Sequence, residues 1–77
     1  MDIVYIYDVK APNKREFNRV KRMFYYYLNK LGLKDAFRTK SVIAVEPKKE
    51  KLMDEFFKQF GKNIEVYKIY AQSIEML

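Results

Sequence analysis

Asp8 closes an apolar run, Ile3-Val4-Tyr5-Ile6-Tyr7. A carboxylate at a strand end could hold Mg²⁺ or Mn²⁺ against a substrate phosphate. Such ions need only one or two protein carboxylates and fill their remaining positions with water and phosphate oxygens. One Asp per chain makes a poor site, but a two-fold dimer could bring two Asp8 side chains to one ion. The same residue could equally end the strand by bonding backbone amides in the turn toward Lys10. A second group is Arg15, Arg19 and Arg22, whose i, i+4, i+7 spacing puts them on one side of a helix, with Tyr26 continuing the line and Lys14 and Lys21 at its border. Guanidinium groups in a row match successive phosphates bidentately, as lysines cannot; the bland alternative is a solvated helix face. The third group is tyrosine: Tyr5, Tyr7, Tyr25-Tyr26-Tyr27, Tyr67 and Tyr70 could stack bases or seal an interface between two copies.

What positions these side chains is a strand–helix alternation. Asp2–Val9 reads as a strand with Val4 and Ile6 on one face and Ile3, Tyr5, Tyr7 and Val9 on the other, both too apolar for open water. Lys10-Ala11-Pro12 breaks it. Asn13, with Glu16 three residues on, has the form of a capping box, and Phe17, Val20, Phe24, Leu28 and Leu31 then fall on one stripe until Gly32, so a helix is expected over residues 14–31. Residues 37–46 are extended, as one long strand or a tight hairpin. Pro47 suits the start of a second helix whose Leu52, Met53, Phe56, Phe57 and Phe60 cluster on one side until Gly61. Residues 63–70 are a further strand, and the tail beyond could form a short edge strand or pair with another chain. This order describes one domain over residues 1–77, an α+β ferredoxin-like sandwich with two helices on one face of a mostly antiparallel sheet. Two helices leave the other face uncovered. Tyr5 and Tyr7 are expected there, buried by a second copy.

Composition removes whole classes of chemistry. The chain has no Cys and no His, which excludes disulfides, thiolate nucleophiles and every His-based triad. Two isolated glycines cannot form a phosphate-cradling loop. Seventy-seven residues make a thin core, burying roughly 60% of the unfolded surface. Residues 1–40 hold ten basic and four acidic side chains, whereas residues 41–77 hold six of each, so the whole excess of +6 lies in the first half. That asymmetry suggests a polyanionic partner, with nucleic acid ahead of a membrane because no apolar insertion face accompanies it. The start of the sequence lacks the pattern of a secretion signal, and no stretch approaches about 18 apolar residues, so a cytoplasmic location is expected.

Three segments, Ile3-Val4-Tyr5-Ile6-Tyr7-Asp8-Val9, Asn18-Arg19-Val20 and Ser41-Val42, together resemble the CRISPR-associated Cas-two proteins, small adaptation subunits that work beside the Cas-one integrase. The resemblance spans nearly the whole chain through short motifs. It implies a ferredoxin-like homodimer that binds DNA or RNA and bridges the integrase during spacer acquisition, and a divalent-metal-dependent nuclease acting on RNA or duplex DNA. Carried over by position, it makes Asp8 the catalytic metal ligand for Mg²⁺ or Mn²⁺, assigns Arg19, Arg38 and Ser41 to nucleic-acid contact, and matches Tyr7 to the strand end. The sequence departs from the family pattern at Thr39, Ile43, Ala44 and Val45, where Gln, Phe, Glu and Gly are usual, which weakens the catalytic implication more than the dimeric one. Two other readings stand beside it: a non-catalytic RNA-binding module that stacks bases on Tyr5 and Tyr7, and a toxin-like protein whose basic face meets an acidic partner.

Overall fold

Asp2–Val9 forms β1, an interior strand of a four-stranded antiparallel sheet. Around it the chain builds α1 (Lys14–Lys30), β2 (Phe37–Thr39), β3 (Val42–Val45), α2 (Glu50–Lys58) and β4 (Ile64–Ala71). The computed structural model describes residues 1–33 and 36–77, the side chains of Phe37 and Arg38 excepted. The strand order β2-β3-β1-β4, with a helix after β1 and another after β3, is the ferredoxin-like α+β arrangement. Asp8 in β1 faces Glu65 in β4, and Ile3 faces Val45 in β3, which fixes the register on both sides.

The ends of α1 follow from local chemistry. Asn13 has extended backbone and its side chain accepts the Glu16 N–H at 2.9 Å, satisfying one orphan donor of the first turn. The reciprocal half of a capping box is absent, because the Glu16 carboxylate turns to Arg19 instead. At the other end Gly32 adopts φ +70°, a conformation that disfavours any Cβ. It lets the Gly32 and Leu33 amides bond back to Asn29 O and Leu28 O at 3.0 and 3.4 Å, the paired bonds of a Schellman stop. Leu28 and Leu33 are both buried, so the stop is also sealed by apolar contact.

Residues 37–46 are a hairpin and not one strand. Lys40 and Ser41 make the turn, where the Thr39 hydroxyl accepts the Ser41 N–H at 3.1 Å, and the register slips between Phe37 and Thr39. A Thr hydroxyl bond of this kind supplies a turn without Asn-Gly. Pro47 opens a short 3₁₀ turn that runs into α2, whose Met53, Phe56 and Phe57 are buried with Phe60 just beyond. Leu52, expected with them, is instead 39% exposed. Residues 72–77 add no further strand to the sheet.

One expectation is reversed. Tyr5 and Tyr7 lie under the helices and not on the uncovered face: they are 2% and 5% exposed, and their rings stand 5.2 Å from Phe57 and 4.8 Å from Phe24. Both faces of β1 are apolar, so alternation separates the faces without saying which one the helices take. The helices bring Phe24, Phe56, Phe57 and Phe60, and the aromatic face of β1 meets them. The bare face therefore carries Val4 and Ile6 from β1, Val42 from β3, and Tyr67 and Ile69 from β4, with Asp2, Asp8 and Glu65 at its ends. Ile6 and Ile69 are 41% and 44% exposed there.

Candidate nucleic-acid interface

The basic ridge sits on the side of α1 away from its buried residues Val20, Phe24 and Leu28. Arg15 and Arg22 are exposed and have no ion-pair partner among the described residues. Two turns of helix separate them by about 10 Å, close to the axial rise of three nucleotides at about 3.4 Å each along one strand. Arg19 is different. Its Nη2 holds the Glu16 carboxylate at 2.9 Å, its Nε reaches the same oxygen at 3.1 Å, and Nη1 lies 3.4 Å from Met23 Sδ. The ridge thus presents two unengaged guanidinium groups, with the third half-neutralised. Near its far end the Lys30 ammonium sits over the Tyr26 ring at 5.1 Å from the centroid. Ser41 is exposed in the hairpin turn, on β1's side of the molecule, where its carbonyl accepts the Tyr7 N–H at 3.0 Å. Arg38 belongs to β2, and the contact expected of its side chain lies outside the described residues.

Asp8 occupies the bare face, as convergence of two copies on one ion requires. Its carboxylate is held by Lys10 Nζ at 3.2 Å, and the same ammonium reaches Glu65 at 3.8 Å. The neighbouring Asp8 and Glu65 carboxylates raise the Lys10 pKa, the hydrogen bond to Asp8 contributing most. Glu65 is engaged a second time by the Tyr67 hydroxyl. The described residues contain no group of three or more His, Cys, Asp or Glu side chains arranged to hold a metal. Within one protomer this donor set does not fit Mg²⁺ or Mn²⁺, because a cation would have to displace the ammonium that already balances both carboxylates. A shared ion between two copies would have to displace two.

A polar network that sequence reasoning missed joins α2 to β4. The Tyr5 hydroxyl donates to Asp54 at 2.7 Å, Lys68 Nζ reaches Glu50 at 2.7 Å and Asp54 at 2.9 Å, and the Tyr70 hydroxyl donates to Glu50. Burial pushes the Tyr5 phenol up, and its bond to Asp54 adds to the rise. The Lys68 hydrogen bond holds Glu50 below its ordinary value, followed by that of Tyr70. Burial alone would raise Asp54, but the bonds from Tyr5 and Lys68 outweigh it and the net shift is downward. Depressed carboxylates stabilise the fold above their unfolded values of 4.5 and 3.8, and that contribution is lost as pH falls through the lower folded values. The Lys68 pKa is raised chiefly by Glu50, so with both carboxylates ionised its contribution is complete up to 10.5 and is lost at higher pH, and the same ion pairs are lost at the acid end as Glu50 and Asp54 protonate. Lys68→Met is therefore expected to lower the urea midpoint at pH 7 and to leave it close to the parent's near pH 3. A deficit of equal size at both pH values would show that the loss is packing rather than charge. Only the pairing of residues some 14 to 49 positions apart creates this cluster, so no local pattern announces it.

No helix among the described residues is long and apolar enough to cross a membrane. Comparison with protein-family models, with curated proteins and with solved structures finds no match to this chain.

Proposed function

We propose that this chain is a nucleic-acid-binding protein of the CRISPR Cas-two type, a homodimer closed through its bare sheet face, which grips duplex through α1 and serves beside an integrase in spacer acquisition. The observation that carries the binding is the pair Arg15 and Arg22, exposed and without ion partners among the described residues, in the half of the sequence that holds the entire charge excess. The CRISPR assignment rests on the resemblance of residues 3–9, 18–20 and 41–42, and the ferredoxin-like strand order supports it. Binding is favoured over cleavage, because Asp8 is tied to Lys10. Base stacking on Tyr5 and Tyr7 is not available to this fold, since both rings are buried under the helices.

The test is salt dependence. Each phosphate neutralised by a protein cation contributes about 0.9 to the slope of log affinity against log salt for duplex DNA. Arg15→Ala with Arg22→Ala is expected to weaken duplex binding uniformly across sequences and to flatten that slope by about 2. Arg19→Ala should change it less, because its guanidinium is shared with Glu16. Anisotropy titrations of a labelled duplex at several salt concentrations read both effects; an unchanged slope in the double variant would remove the ridge from the interface.

A further inference from the structure

Beside the ridge, around the corner of α1, a cavity of about 190 Å³ lies between the first half of the helix, the end of β1 and the hairpin turn. Tyr7, Lys21, Tyr25, Lys40 and Ser41 line it. Neither Lys21 nor Lys40 has an ion-pair partner among the described residues. Among the described residues the Tyr7 hydroxyl makes no hydrogen bond of good geometry and has only the Tyr25 hydroxyl near it, although the atom is sealed from solvent and the residue is 5% exposed. A buried donor without a good acceptor opposes folding, and native structures hold few of them. Burial keeps this phenol protonated by raising its pKa, and Tyr25 beside it adds to the rise, so the group is a donor at every working pH. Asp8 also borders the cavity, with its charge balanced by Lys10 at 3.2 Å.

We propose that this cavity seats a terminal phosphate group of a nucleic-acid strand, with Lys21, Lys40 and the Ser41 hydroxyl around it and the Tyr7 hydroxyl beneath. The inference rests on the nucleic-acid reading above and adds which part of the strand is recognised. Two ammonium groups match a phosphomonoester, which carries a charge of about −1.5 to −2 at pH 7. An internal phosphodiester carries a single charge and needs an exit for the chain on both sides, which suits an open ridge. A chain end needs only one exit, which suits a hollow closed by a strand and a turn. Lys21 precedes Arg22 by one residue, about 100° around the helix, so a strand lying along the ridge can end in the cavity.

The experiment compares one duplex sequence bearing a 5′-phosphate, a 3′-phosphate or hydroxyl ends only. A phosphate at one of the ends is expected to tighten binding about tenfold, the worth of one charge-assisted hydrogen bond. Lys21→Ala with Lys40→Ala should bring all three duplexes to one affinity, whereas the Arg15/Arg22 double variant should weaken all three and preserve their difference. Tyr7→Phe should reduce the preference while leaving thermal stability equal or higher, because an unsatisfied hydroxyl is removed. Equal affinity of the parent protein for all three duplexes overturns the proposal. Inorganic phosphate provides a second readout: its addition should shift the Lys40 and Ser41 amide resonances saturably. Saturable shifts without any preference among duplex ends would assign the cavity to free phosphate and overturn the strand-end reading. If the protein bound no duplex at all, the nucleic-acid function would fail by itself, and absence of amide shifts with inorganic phosphate would overturn the cavity separately.

Discussion

Phe24→Ala is expected to remove about a third or more of the protein's unfolding free energy. The Phe24 ring is 1% exposed and lies within 4.8 to 5.9 Å of the rings of Tyr7, Tyr25, Phe56, Phe57 and Phe60. It is the point where α1 touches both β1 and α2, so its removal opens a cavity that no single neighbour can fill. A buried Phe→Ala change costs about 3–5 kcal/mol. At about 0.05–0.15 kcal/mol per residue, a chain of this length has roughly 4–12 kcal/mol in total. Phe17→Ala provides the comparison on the same helix: that ring is 37% exposed and its loss should cost about 1 kcal/mol or less. Urea titrations followed by circular dichroism separate the two, and equal midpoints would mean that Phe24 is not the centre of the core.

The second large effect is expected at the bare sheet face. If the proposed homodimer closes through this face, Ile6→Glu together with Ile69→Glu should halve the mass measured by light scattering, converting it to single protomers. Both side chains already lie partly in water, at 41% and 44% exposure, and neither contributes to the buried core. The unfolding free energy of the variant protomer should therefore stay within about 1 kcal/mol of that of the parent protomer measured at a concentration too low for pairing. Two carboxylates placed opposite their own copies would be both desolvated and mutually repelled, which an interface does not tolerate. A parent protein that already runs as a single protomer at micromolar concentration, or a double variant that keeps the dimer mass, would rule out pairing through this face.

Sequence and structure agree most closely where the determinants are local. Asn13, Gly32 and Pro47 each act within a few residues, and each marks an element end as its type dictates, whereas α2 stops at Lys58, short of Gly61, which opens a separate 3₁₀ turn. The hairpin was one of two open alternatives, because its turn depends on a Thr39 side-chain bond and not on a Gly signal. The reversal of Tyr5 and Tyr7 has a cause that was present in the sequence: Asp2 and Asp8 share the parity of Val4 and Ile6, and charges at both ends of one face mark it as the one left wet. The aromatic bulk of the other face is the counterpart of the phenylalanines that the helical side brings to the core. The candidate interface shows the same division. The arginine row was legible from spacing, and so in retrospect was the engagement of Arg19, since Glu16 stands at i−3. The Tyr7 cavity was not, because it needs the hairpin turn to fold back over the end of β1, and nothing local in Lys40 or Ser41 points there.

The arginine row and the uncovered strands look in opposite directions, one outward from the helical layer and the other away beneath it. The proposed self-association and polyanion capture would therefore compete for no atoms. A paired molecule would offer two cationic rails held at fixed separation, and the second rail would meet the same polymer at a high effective concentration once the first had landed. Modest attraction at each rail then suffices for tight retention on a long duplex, while fragments too short to reach both would escape.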